Sequence, residues 1–174
     1  MPRSSPQGKK EIGQWLSAAE FQHKKILDIG IGQGTYHNEY ALRSKLKGCA
    51  WYGVEVWAPY IDKFSLKSKY SPLINEDCRT IDYEALGLFD VAFCGDVLEH
   101  MTKEDAIGLV AKLEKVATNI IISIPIIYMP QVGKYKNPFE KHVKPDWSHE
   151  EVLNTFPSIK ESLFLGDVIG VYRI

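Results

Sequence analysis

Three glycines at alternate positions, Gly30, Gly32 and Gly34, follow directly on the apolar run Ile26-Leu27-Asp28-Ile29. Glycines at the end of a buried strand let the backbone turn tightly and approach a ligand closely. A dinucleotide-binding loop wants its third glycine one position later, where Thr35 stands, so this loop alone names no ligand. A second apolar run, Trp51 to Val56, carries Glu55 near its end. A carboxylate there is in place to accept both hydroxyls of a ribose, a geometry that serves any adenosine-containing cofactor. Trp57 stands two residues on, suited either to stacking on an adenine or to packing. Asp77, followed by Cys78, comes after a third short run and offers an acceptor for an adenine amino group, or serves as a turn aspartate. Asp96 ends a fourth run and leads into Val97-Leu98-Glu99-His100.

These residues need a scaffold that brings four strand ends together. Short β-branched runs alternate with amphipathic stretches, the pattern of parallel βαβ units in an open α/β sheet. A helix is expected over Glu11 to Phe21, a strand at Ile26 to Ile29, then a helix from Thr35 to Lys47 stopped by Gly48. Pro59 opens a helix through about Lys69. Thr102 with Asp105, and Ser148 with Glu151, cap two later helices, and Ile120 to Ile124 is the most apolar strand. Glu161 to Leu165 and Val168 to Ile174, joined by Gly166-Asp167, form a terminal hairpin. In such sheets ligands sit outside the carboxyl ends of the strands, where the strand order reverses.

Composition sets the limits. The chain has 174 residues, 45% of them hydrophobic and 25% charged, which suits a single domain over residues 11–174. The first ten residues, rich in Ser, Pro, Lys and Gly, read as a disordered tail. Twenty-one basic against 22 acidic residues speak against a nucleic-acid partner, which usually demands a basic excess. The longest apolar stretch, Ile120 to Met129, is too short to span a bilayer. Cys49, Cys78 and Cys94 are an odd set without CxxC spacing, so neither a metal site nor a disulfide framework is expected, and a reducing cytoplasm fits. Self-association stays open.

Taken in order, Ile26-Leu27-Asp28-Ile29-Gly30-Ile31-Gly32-Gln33-Gly34, Val54-Glu55, Glu76-Asp77 and Phe89-Asp90-Val91 leading to Asp96-Val97-Leu98-Glu99-His100 resemble a class I S-adenosylmethionine-dependent methyltransferase. The resemblance implies a Rossmann-like, mostly parallel seven-stranded sheet with a C-terminal antiparallel hairpin and helices on both faces. It implies S-adenosyl-L-methionine as cofactor and S-adenosyl-L-homocysteine as product. Asp28, Gly30, Ile31, Gly32 and Gly34 would lie at the methionine moiety, Glu55 with Val56 at the ribose, Asp77 with Cys78 at the adenine, and Asp96 near the sulfonium. Asp28 and Glu55 are expected to hold one ligand in one pocket.

For the acceptor, the resemblance points to a small molecule or a glycan-like compound. The stretch Asn137 to Trp147 looks like a segment of family members acting on small molecules or sugars, and a long loop of this kind often serves as a lid. His142 is the first candidate general base and His100 the second, because histidine titrates near neutral pH. Tyr36, His142 and Trp147 are candidate acceptor contacts, and Glu99 reads as a helix-start acid. Lys134, Lys136, Lys141 and Lys144 read as a solvated basic loop. A nucleic-acid methyltransferase and a non-catalytic cofactor-binding module remain alternatives, since a fold does not guarantee an activity.

Overall fold

The structure is a computed structural model of the chain, and describes residues 5–43, 45–133, 136–166 and 168–174. Residues 1–4 of the expected tail, Lys134 of the basic loop and Asp167 of the expected hairpin turn lie outside the described residues. Five helices are described: α1 (Lys9–Ala18), α2 (Thr35–Tyr40), α3 (Ala58–Lys63), α4 (Lys103–Glu114) and α5 (His149–Thr155). Seven strands form one sheet: β1 (Lys25–Ile29), β2 (Ala50–Val54), β3 (Leu73–Ile74), β4 (Phe89–Gly95), β5 (Ala117–Pro125), β6 (Glu161–Leu165) and β7 (Ile169–Arg173). Their order is β3-β2-β1-β4-β5-β7-β6, with β7 antiparallel to both β5 and β6 and the other pairs parallel. The Rossmann-like sheet with its terminal antiparallel hairpin is therefore present.

Strand periodicity divides the core into two layers. Along β1, Ile26 faces the layer that contains Ile12 and Leu16 of α1, Tyr36 and Tyr40 of α2 and Ile61 of α3. Leu27 and Ile29 face the other, with Ala106, Leu109 and Leu113 of α4 and Val152 of α5. Helices thus cover both faces. The expected caps are made: the Thr102 hydroxyl accepts a hydrogen bond from the Asp105 amide at 3.1 Å, and Ser148 does the same for Glu151.

Three elements differ from expectation. α1 begins at Lys9, inside the stretch read as a disordered tail, because Lys9 packs its ammonium over the Tyr36 ring at 3.8 Å and is buried there. α2 ends at Tyr40 rather than Lys47, and the chain continues in short turns that carry Leu46 back into the core. The helix opened by Pro59 breaks at Ser65, whose φ is 53°, and resumes as a single 3-10 turn, Leu66–Ser68.

Register places the site. Ile29 pairs with Val54 on one side and with Cys94 on the other. Gly30 and Glu55, the residues that follow β1 and β2, therefore leave the sheet side by side, next to Gly95 at the end of β4. β1 is also the strand at which the order reverses, the place where open α/β sheets hold their ligands.

Candidate functional site

A cavity of about 430 Å³ opens at this edge, within the ordinary range of small-molecule sites. Gly30, Ile31 and Gly32 form its floor, Glu55 and Val56 one side, Asp77 and Cys78 the next, and Asp96 the side toward β4. His100, His142 and the buried Glu99 also line it.

The glycine loop is built for close approach. The amides of Gly30 and Ile31 both reach the Val54 carbonyl, at 2.9 and 3.3 Å, and turn the chain sharply off β1. Gly30 holds a φ of +65°, and a side chain there would collide with Val97, its Cβ only 2.6 Å from a methyl carbon. Both facts demand glycine.

Glu55 is buried. Its two carboxylate oxygens each accept one backbone hydrogen bond, from Gly32 at 2.9 Å and from Trp57 at 2.8 Å. Burial raises its pKa, and the two amide bonds act against that rise. A carboxylate oxygen has two acceptor sites, so each retains capacity for a hydroxyl. Trp57 itself packs toward Phe139, with ring centroids 6.3 Å apart, and is not among the residues lining the cavity.

Asp77 is held by Arg79, whose Nε and Nη2 donate to its two oxygens at 2.9 and 2.6 Å. The guanidinium keeps the Asp77 carboxyl below the usual range. Arg79 also lines the cavity and bridges to Asp105 on α4. Asp96 has a φ of 54°, in the left-handed region, and its carboxylate accepts the Ser5 amide at 3.0 Å. Ser5 and Gln7 thereby join the lining, although nothing in their local sequence signals it.

Four expected contacts do not reach the cavity lining. Asp28 lies on the α1–α3 side of β1, fully enclosed, and accepts the Tyr70 hydroxyl at 2.6 Å. The expectation that Asp28 and Glu55 share one pocket is therefore corrected: Glu55 lines it and Asp28 does not. Gly34, with a φ of +79°, starts α2 beyond the floor. Tyr36 lies flat beneath the site, stacked on Phe93 at 4.5 Å, in the space that Gly95 leaves by lacking a side chain. Trp147 is buried in the core layer of α4 and α5, 6.2 Å from the Phe156 ring. Tyr36 and Trp147 are core residues here, not acceptor contacts.

Burial pushes the Asp28 carboxyl up to about 7, with the Tyr70 hydrogen bond and Lys9 acting against the rise. An acid whose folded pKa exceeds its unfolded value near 3.8 stabilises the fold below the lower value, and that contribution disappears as the pH climbs through the higher one. Asp28→Asn should therefore gain stability relative to wild type between pH 4 and pH 8, by up to roughly 4 kcal/mol. Urea unfolding at both pH values measures this, and a pH-independent difference would refute it.

The two histidines are oriented by backbone carbonyls. His142 Nδ1 lies 2.6 Å from the Met129 oxygen, and His100 Nδ1 lies 3.1 Å from the Lys141 oxygen. A ring nitrogen against a carbonyl must carry the proton, which leaves Nε2 of each neutral imidazole with its lone pair. Burial pulls the His100 pKa down. The ring centroids are 4.9 Å apart. Glu99, read as a helix-start acid, lies on the 3-10 turn Leu98–His100 and is buried beside them, with one carboxylate oxygen lacking any hydrogen-bond partner. Burial, with Asp96 adding to it, drives its pKa well above the carboxylate range. Among the described residues, no helix is long and apolar enough to cross a membrane.

The same architecture occurs in known enzymes. An S-adenosylmethionine-dependent methyltransferase from Clostridium acetobutylicum ATCC 824 superposes with a TM-score of 0.71 at 11% identity, over 95% of this chain and 89% of that one. The N-terminal domain of EvdMO1, crystallised with S-adenosylhomocysteine, gives 0.65 at 13% identity, over 98% and 80%. Magnesium protoporphyrin IX methyltransferase from Synechocystis PCC 6803, crystallised with S-adenosylmethionine, gives 0.60 at 17% identity, over 96% and 77%. At such identities the likeness is one of fold. No curated protein matches the chain. A family model described as a methyltransferase domain matches residues 27–119, more than half of the 174-residue chain and the span that holds the glycine loop, Glu55, Asp77 and Asp96, so the chain belongs to the class I S-adenosylmethionine-dependent methyltransferases.

Proposed function

We propose that this protein transfers a methyl group from S-adenosylmethionine to an oxygen, nitrogen or carbon of a small-molecule or glycan-like acceptor, by in-line displacement. The observation that carries the reading is the side-by-side exit of Gly30 and Glu55 from β1 and β2 into one cavity. The residues suit the cofactor: a floor free of side chains at Gly30 and Gly32, and a buried carboxylate with acceptor capacity to spare for ribose hydroxyls. When bound, the cofactor supplies an electrophilic methyl group on a positively charged sulfur. The chain need only align the acceptor, exclude water and take up a proton where the acceptor carries one. Asp77 and Cys78 would border the adenine and Asp96 the methionine end. Asp28 would support the loop from below rather than touch the ligand.

His142 is the leading proton acceptor, because its Nε2 lone pair is left free beside the cavity and its ring is pinned by Met129. His100 is the alternative. Small-molecule acceptors suit the enclosure, and the magnesium protoporphyrin methyltransferase is a neighbour that acts on one.

Calorimetry with S-adenosylmethionine, S-adenosylhomocysteine and NAD tests the cofactor, with preferential NAD binding overturning it. A screen of metabolites and glycans with methyl-labelled cofactor tests the transfer. Once an acceptor is in hand, His142→Ala should lower turnover by about 10²–10⁴-fold, the usual range for losing a general base, while cofactor affinity stays within a few-fold. Undiminished turnover would remove His142 from the chemistry.

A further inference from the structure

Glu99, His100 and His142 each present one ligand atom within 4.8 Å of one another, all three lining the cavity. We infer that they form a binding site for one divalent transition-series cation, whose open coordination positions take an oxygen of the acceptor. The inference rests on the methyltransferase reading and deepens it, by naming the acceptor as a hydroxyl compound.

Three features argue for a built site. The first is ligand chemistry: two imidazoles and one carboxylate suit Mn²⁺, Fe²⁺, Co²⁺ or Zn²⁺, and three protein ligands leave positions open for another molecule. The second is orientation. Both rings commit Nδ1 to a backbone carbonyl, Met129 for His142 and Lys141 for His100. That outer hydrogen bond is what fixes a metal-binding histidine in its tautomer and aims Nε2. The third is the carboxylate: Glu99 is 2% exposed and one of its oxygens has no hydrogen-bond partner. A buried polar oxygen without a partner is costly, and a coordinated cation would supply the missing partner as the carboxyl gives up its proton.

The backbone brings the ligands together deliberately. The Glu99 carbonyl accepts the amides of Val143 and Lys144 at 2.8 and 3.1 Å, and the His142 amide donates to Gln131 at 3.0 Å. The loop after β5 is thus stitched to the turn after β4 at the point where the three side chains meet. Cysteine spacing, which led the sequence to no expectation of a metal, has no bearing on a site made of histidine and glutamate.

The cation changes the part played by His142. With a cation bound, His142 Nε2 is a ligand, and activation of the acceptor passes to the cation, which lowers the pKa of a coordinated hydroxyl. That hydroxyl gives its proton to solvent. Its oxygen lone pair then forms the new O–C bond as the C–S bond breaks, the C–S electron pair remaining on sulfur.

Tag-free protein stripped with a chelator is titrated with Co²⁺, followed by visible absorption, and with Mn²⁺ and Zn²⁺ by calorimetry. One equivalent should bind, and saturating cation should raise the melting temperature. Glu99→Gln and His142→Ala should each weaken binding at least ~100-fold, more than the roughly 10–100-fold typical of losing an outer hydrogen bond. Circular dichroism confirms that each variant is folded, and His100→Gln supplies a third probe if either is not. Absence of a saturable equivalent, or equal binding by folded Glu99→Gln and His142→Ala, overturns the site. S-adenosylhomocysteine calorimetry in chelator separates the two claims: retained cofactor binding leaves the methyltransferase reading standing whatever the cation does.

Discussion

Glu55→Ala should weaken binding of S-adenosylhomocysteine by about 10²–10⁴-fold, from the loss of two hydrogen bonds to a charged acceptor at ~1.5–3 kcal/mol each. The substitution also frees the amides of Gly32 and Trp57, which the carboxylate now ties to the glycine loop and to the start of α3. Two effects must therefore be separated. Glu55→Gln keeps one carbonyl oxygen in place, and should lose less affinity while retaining more of the loop's order. Calorimetry reads the affinity, and urea unfolding of both variants reads the structural part. If Glu55→Ala binds the nucleoside as tightly as wild type, the carboxylate has no ribose to hold and the cofactor placement fails.

Trp147→Ala should cost the fold about 3–5 kcal/mol, the range for emptying a large aromatic site, and a large share of the ~5–15 kcal/mol by which domains of this kind are stable. The indole is 1% exposed among residues of α4 and α5, its N–H has no partner, and the Lys144 ammonium lies 4.8 Å from its ring. Trp147→Phe should be much milder, since most of the apolar contact survives and no hydrogen bond is lost. Denaturant midpoints for the two variants decide the matter. Because Trp147 is a core residue, any Trp147→Ala protein that remains folded should still bind S-adenosylhomocysteine within a few-fold. Wild-type stability combined with lost acceptor turnover would restore Trp147 to the site.

The strand ends were legible because they depend on local pattern. Ile26-Leu27-Asp28-Ile29, Trp51 to Val54 and Phe89 to Cys94 are short, apolar and bounded by glycine or acid, and parallel pairing aligns what comes after them. Gly30, Glu55, Asp77 and Asp96 follow strand ends and thus came to line the cavity. Asp28 did not, because alternation along β1 sends it to the opposite side from Leu27 and Ile29, toward Tyr70. Trp147 sits in a stretch with no periodicity, where nothing distinguishes a buried indole from an exposed one. Glu99 occupies a single turn of helix, too short for a face to be read, and its burial is created by Val143 and Lys144 folding over it. Arg79 and Ser5 reach the cavity through partners far away in sequence, Asp105 on α4 for the first and Asp96 for the second. Contacts of that kind leave no local trace.

The bond between Ser5 and Asp96 bears on how the protein is handled. It makes the first described residues part of the cavity wall, so a purification handle or fusion partner joined upstream would pull directly on the mouth of the site. The other end behaves differently. β7 runs antiparallel to β5, and Ile174 exchanges hydrogen bonds with Ile120 near the start of that strand, the sheet edge opposite the cavity. A label introduced along that edge of the sheet would lie away from the cavity lining.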